Sequence, residues 1–453
     1  MAPGALLHEL HESRVDSLAR RLAKKYADRP TKVQAAAVDE RDLSKRTNTY
    51  SIDAAATPTQ TNSAGIDQDG TDYSYFAQVL LGSKSTPMYM LLDTGAGTTW
   101  VMGDSCTSDP CQKHNTFGPG ESSTYQASDN TFSIEYGSGS VSGVSASDSL
   151  SIAGLKVVMP IGIANVTSDD FNSFPIDGIL GLSQVPGSTP NFLQSLVSAK
   201  LLQSNIFAVD LDRASDGPNN GEISFGAVDS SKFTGKIGYS PVASSEGGEW
   251  AISLDSISVG GTQAPITDKL TYIDTGTSYI FAPSEDVSAL HSVIPGSQSS
   301  DNTTFQVPCK TTTPITLTFS GVSYDISPAD WVGGPSSDPN LCTSNIYGHT
   351  VVSGAWLLGD TFLKNVYTVF DVDQNRIVSS VPTSSGTSNS AATSLADGIS
   401  GHQSSSATGS AVAETTSAPS STPVKSNAVR LGAETTTLTT IILGSFGLVF
   451  LLS

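Results

Sequence analysis

The tripeptide Asp-Thr-Gly occurs twice in this chain, at Asp93-Thr94-Gly95 and Asp274-Thr275-Gly276. Each copy follows apolar residues, Leu91-Leu92 and Tyr272-Ile273, and precedes small residues. A single copy reads as an ordinary turn after a strand, because Asp and Gly are turn residues. Two copies, each ending a hydrophobic run, predict a duplicated lobe that brings two carboxylates together. Paired carboxylates are acid/base machinery.

The flanking residues narrow the possibilities. Trp100-Val101 closes a Gly/Thr-rich turn after the first triplet, and Phe132-Ser133-Ile134-Glu135-Tyr136-Gly137-Ser138-Gly139-Ser140 reads as a strand entering a glycine-rich hairpin. Downstream of each triplet comes an apolar segment with glycine, Ile176-Asp177-Gly178-Ile179-Leu180-Gly181-Leu182 and Trp356-Leu357-Leu358-Gly359-Asp360-Thr361-Phe362. In order, spacing and flanks, roughly residues 72–382 resemble the pepsin-like aspartic protease family.

That resemblance implies an all-β dominated, bilobal fold with a cleft between two related β-rich lobes and a few short helices. It implies an aspartic endopeptidase that hydrolyses peptide bonds at acidic pH through a water activated by Asp93 and Asp274. Two such carboxyls cannot both ionise cheaply, so they hold one proton between them and titrate as a pair. No metal, cofactor or covalent intermediate is required. By the same resemblance Thr94 and Thr275 brace the opposite loop, and Gly95 and Gly276 give amide N–H groups to the carboxylates. Tyr136, Gly137 and Ser138 form a flap over an extended peptide, Trp100 bonds the flap tyrosine, and Leu91 lines a pocket. Read without the family, Tyr136 is a half-buried strand aromatic.

The two loops are not identical. Thr277-Ser278 follows the second triplet, whereas Ala96-Gly97 follows the first, so an asymmetric pair of carboxyls is expected, with Thr277 adding a hydrogen bond to Asp274. Asp360 either lies near the pair as an added negative charge or is a solvated or capping residue. Glu135 beside the flap tyrosine hints at basic substrate residues, set against the plainer reading of a solvated strand Glu.

The 453 residues carry a net charge of −20. Residues 47–382 hold 11 Lys and Arg against 33 Asp and Glu, while the first 46 residues hold 10 against 7. So acidic a body repels phosphate, which excludes a nucleic-acid partner. Four cysteines allow three pairings; the family resemblance implies Cys106–Cys111 and Cys309–Cys342, and hence an oxidising compartment. The six histidines are scattered and suggest no metal cluster.

Tyr75 onward and Met88–Leu92 read as strands, the latter delivering Asp93. Thr189–Leu201 and Ser284–Ile294 read as helices, the second with Ser284 as its cap and early acids. The expected domains are a basic prosegment 1–46, an extension 47–71, an N-terminal lobe with flap 72–240, a C-terminal lobe 241–382, a Ser/Thr-rich stalk 383–426 and a GPI-attachment signal 427–453. Prosegment release is expected at Lys45-Arg46, the alternative being a charged linker. Ala5-Leu6-Leu7 is shorter than the roughly 7–15 residues of a signal core, so a leader upstream of this start, or another route, is expected.

The stretch after Thr383 cannot bury enough apolar surface to pack and reads as an O-glycosylated stalk. Leu438–Leu452 spans roughly 22 Å as a helix, short of a hydrocarbon core of about 30 Å. With small residues at Ser426 and Asn427 before it, a lipid anchor fits better than a tail anchor. Asn165 and Asn302 begin N-glycosylation motifs. Prosegment, dibasic site, stalk and anchor signal together resemble fungal surface aspartic proteases of the yapsin type. They imply a monomer that reaches the membrane or cell wall through the secretory pathway, part of it released. A catalytically silent surface or wall protein on the same fold is the competing expectation, and two intact Asp-Thr-Gly triplets weigh against it.

Overall fold

Period-two burial builds the chain into strands. From Ala77 the strand Tyr75–Leu81 alternates buried and exposed residues, and its antiparallel partner Thr86–Asp93 does likewise until Leu92 and Asp93, both buried. The computed structural model describes residues 46–382 apart from 137–138, 186, 188–189 and 244–248, together with residues 15, 16, 18–20, 22 and 23.

Each half repeats one strand arrangement around its Asp-Thr-Gly loop. Thr86–Asp93 runs parallel to Gly178–Gly181, which is antiparallel to Trp100–Met102, which is in turn parallel to Leu155–Thr167. In the second half Thr262–Ile273 runs parallel to Trp356–Leu358, then Ile280–Phe281 is antiparallel and Ile346–Tyr347 parallel. A strand parallel to its neighbour cannot be joined to it by a tight hairpin. The Asp-Thr-Gly turn therefore sits in a loop that the downstream glycine segment closes from behind. These strands belong to an eight-stranded and a seven-stranded sheet, one in each β-rich lobe.

A six-stranded sheet joins the halves. Ile206–Asp210 of the first half pairs with Tyr367–Asp371 near the end of the second, and Phe233–Pro241 pairs with Arg376–Pro382. Phe207 and Phe370 stack across this seam at 4.6 Å with their planes 8° apart, and Trp250 packs edge-on to Phe370 at 5.0 Å.

Helices are short. Phe192–Ser198 starts with a capping box, Asn191 accepting the Gln194 N–H and Gln194 reaching back to Asn191 N. The helix Ser284–Ser292 corrects the sequence expectation: Pro283, not Ser284, occupies the cap position, without a side-chain cap. Of the early acids, Asp286 turns inward to accept from Trp356 Nε1 at 3.0 Å and from Lys269 at 3.0 Å. The described residues 15–23 are helical, and Val15, Leu18, Ala19 and Leu22 form one buried stripe, the three-four spacing of an amphipathic helix. The stripe packs on Tyr272, Phe281, Tyr347, Val351 and Leu357 of the second half.

Close approach fixes Gly178. A Cβ there would strike the Trp100 carbonyl oxygen and lie 2.8 Å from Val101 Cα, both rigid backbone, whereas a Cβ on Gly120 meets nothing within 4 Å. Gly178→Ala is expected to destabilise by about 2–3 kcal/mol or more, and Gly120→Ala to stay within about 0.5 kcal/mol of the parent, in urea unfolding. Equal midpoints for the two variants would contradict the packing described.

Candidate active site

Each Asp-Thr-Gly turn is reached through the buried end of a strand. Leu182 N donates to Asp93 O at 2.9 Å and Asp274 N donates to Leu358 O at 3.0 Å, so the glycine segments hold both turns from behind. Within each turn the glycine amide donates to its own aspartate: Gly95 N to Asp93 Oδ1 and Gly276 N to Asp274 Oδ1, both at 2.9 Å.

The turns grip each other. Thr94 Oγ1 donates to Ile273 O at 2.8 Å and accepts from Thr275 N at 3.1 Å. Thr275 Oγ1 donates to Leu92 O at 2.7 Å and accepts from Thr94 N at 3.1 Å. Asp93 and Asp274 are both buried, 3% and 0% exposed. They meet across Gly276, whose N–H holds Asp274 while a Cβ at that position would lie 2.6 Å from Asp93 Oδ1 and 2.7 Å from Oδ2. Any side chain on Gly276 would evict the carboxyl of the opposite lobe.

Thr277 Oγ1 donates to Asp274 Oδ2 at 2.8 Å. Ala96 has no hydroxyl and packs among apolar neighbours, its amide donating to Asp93 O at 3.2 Å. Asp360 is neither solvated nor a side-chain cap: it is 2% exposed, begins the turn Asp360–Leu363 and lines the same cavity as Asp93. Burial pushes its carboxyl well above the usual range, Lys364 pulls it back, and the charges of Asp274, Asp72 and Asp69 push it further up. Asp360 is therefore neutral in acid and adds no charge to the pair there. Lys364 Nζ also ties Asp72 and Asp330 at 3.0 and 3.1 Å, and Arg213 grips Asp330 at 2.7 Å, which links both halves beneath the site.

An apolar pocket opens from Asp93, lined by Leu91, Phe171, Phe174, Ile176 and Ile179 with Tyr73 and Gly276. Trp100 stands buried behind it, edge-on to Phe171 at 5.2 Å. Tyr73, absent from the sequence reading, stacks on Phe174 at 5.5 Å. Leu18 and Leu22 of the N-terminal stripe also line this pocket, and Asp16 Oδ1 lies 3.1 Å from His349 Nε2. Glu135 is exposed at the end of the strand Gln126–Tyr136. The Tyr136 side chain, Gly137, Ser138, Lys45, Ser426 and Asn427 lie outside the described residues.

Cys106–Cys111 and Cys309–Cys342 are disulfide-bonded. Arg46 donates to the carbonyl oxygen of Cys106 at 2.6 Å. Of the two glycosylation motifs, Asn302 is exposed in a turn, while Asn165 is half-buried with Oδ1 accepting from Ser105 at 3.0 Å. Among the described residues no helix is long and apolar enough to cross a membrane.

Residues 74–381 match the family described as eukaryotic aspartyl protease. The chain is 44% identical over 356 residues to the aspartic-type endopeptidase ctsD of Aspergillus fumigatus, covering 77% of this chain and 74% of that protein. It is 41% identical over 358 residues to a probable aspartic-type endopeptidase CTSD of Trichophyton verrucosum, covering 78% and 70%. Cathepsin E-B of Xenopus laevis is 33% identical over 327 residues, covering 68% and 79%.

Two substitutions read the electrostatics of the pair. Thr277→Val removes a donor to ionised Asp274 and is expected to move the acid limb of the pH–rate profile up by about one unit. Asp360→Asn is expected to leave the acid limb in place and move the upper limb down, since Asp360 becomes charged only at higher pH. Unchanged limbs in both variants would detach these residues from the titrating pair.

Proposed function

The chain belongs to the eukaryotic aspartyl protease family and is an aspartic-type endopeptidase, and from that premise we propose that Asp93 and Asp274 carry the reaction by activating one water between them. The observation that carries this is the reciprocal threonine grip, which sets the two carboxyls of separate lobes on either side of Gly276. With one proton shared, the ionised carboxylate takes a proton from the water as oxygen attacks the scissile carbonyl. The protonated partner donates to the developing oxyanion, and the departing amine then receives a proton. Thr277, held on Asp274, favours the ionised form on that side.

The pocket chemistry selects a bulky apolar substrate side chain beside the scissile bond, because Leu91, Phe171, Phe174, Ile176 and Ile179 offer aliphatic and aromatic surface alongside Asp93 and Asp360. Residues 1–46 act as an inhibitory prosegment released at Lys45-Arg46. That reading is supported by Leu18 and Leu22 lining the pocket next to Asp93, where substrate must bind. Residues 383–426 serve as a stalk and 427–453 as a GPI signal that places the enzyme at the membrane or wall. This part rests on composition alone.

Asp93→Asn and Asp274→Asn are each expected to lower kcat by about a thousandfold or more without loss of fold. In a peptide library cleaved between pH 3 and 7, a statine-type inhibitor should stop all cutting. Leu18→Ser with Leu22→Ser should raise the activity of the unprocessed chain. Proteolysis persisting in either amide variant would overturn the assignment, and unaltered latency in the serine variant would remove the prosegment reading.

A further inference from the structure

His114 follows the first disulfide and is fully buried. Its two ring nitrogens both face carbonyl oxygens, Nδ1 toward Pro110 O at 2.7 Å and Nε2 toward Phe174 O at 2.9 Å. A carbonyl oxygen only accepts, and a neutral imidazole carries one N–H. Either neutral tautomer would therefore press a ring lone pair against a carbonyl lone pair inside 3 Å. The doubly protonated ring satisfies both contacts.

The surroundings suit a cation. The Tyr50 ring lies over the imidazole at 4.8 Å, a face that attracts positive charge. Asp177, fully buried, interacts electrostatically with His114. Its carboxyl accepts from Asn48 Nδ2, Asn115 N, Asn115 Nδ2 and Tyr89 N, all within 2.9 Å. Burial pushes Asp177 up to about 6, while these donors and His114 pull it down. The other charged groups here are Lys113, paired outward with Asp109 at 2.8 Å, Asp169 and Asp170 on the turn Asp169–Ser173, and Arg46 on the disulfide loop.

We infer that His114 is held as an imidazolium and that in this form it positions the wall of the substrate pocket. The link is Phe174, whose carbonyl accepts from Nε2 and whose ring lines the pocket beside Asp93 and stacks on Tyr73. The same cation fastens the Pro110 turn and, through Tyr50, the start of the catalytic body, since Tyr50 Oη donates to Asn172 O at 2.9 Å. His114 touches no reacting atom. With only one ring N–H, one of the two carbonyls would face a lone pair, and the support would be lost.

The inference rests on reading this pocket as a substrate pocket, and two measurements on the processed protein separate the parts. In nitrogen-15 NMR at pH 5, both His114 ring nitrogens should appear protonated; a single-tautomer signal at that pH overturns the proposal even if variants fail to fold. In kinetics, two peptides that differ by Phe or Ala beside the scissile bond should be compared for the parent and His114→Gln. The variant should raise KM for the Phe peptide about tenfold in acid, the factor that one unmade hydrogen bond amounts to. Its kcat should stay near that of the parent. Identical KM in parent and variant at every pH overturns the positioning role. Equal KM for the two peptides in the parent sinks the pocket reading instead, leaving the charge state of His114 to the spectrum.

Discussion

Four hydrogen bonds made by Thr94 and Thr275 across the two turns hold the site together. Each hydroxyl donates to a carbonyl of the opposite strand and accepts an amide from the opposite turn, so neither threonine is satisfied unless both lobes are in place. With Thr94 and Thr275 0% and 3% exposed, no water competes for these groups, and an unmade bond there carries the full cost of a buried, unpaired polar atom. The position of each carboxyl is thereby a property of the joined halves rather than of one lobe. The glycine segments behind the turns and the ion pairs beneath them stiffen an arrangement that these bonds define.

Much of this was legible in the sequence. The two Asp-Thr-Gly triplets, their glycine segments and the strands leading into them are local patterns, and the structure shows them repeating with the same strand directions. The capping preference of Ser284 misled because Pro283, with its fixed backbone, takes the cap position instead. Asp177 passed as a residue between apolar neighbours, yet it is a node for Asn48, Tyr89 and Asn115. Its partners arrive from three distant stretches, and no period or spacing in one sequence announces such a meeting. The role of His114 was hidden for the same reason: six scattered histidines say nothing about which one faces two carbonyls.

Buried carboxyls give the molecule an acid bias beyond its reaction. Burial raises Asp177 to about 6, Asp210 to about 7 and Asp360 well above the ordinary range. Asp210 lies opposite Glu222 on neighbouring strands, with Lys232 3.4 Å from Asp210 and 3.8 Å from Glu222. A carboxyl whose folded-state value is raised binds its proton more tightly in the fold than in the unfolded chain. Its contribution is complete in acid, declines above the unfolded value near 4, and is gone once pH passes about 6–7. The fold and the chemistry therefore favour the same side of neutrality.

The six-stranded seam sets a schedule for biosynthesis. Ile206–Asp210 waits for Tyr367–Asp371, and Phe233–Pro241 for Arg376–Pro382. Pairings of that separation close late, because the intervening loop must first be ordered. A nascent polypeptide that has emerged only as far as its second aspartate still lacks the strands that knit its halves. Joining of the two halves thus requires the last strands of the body, Tyr367–Asp371 and Arg376–Pro382, to be present.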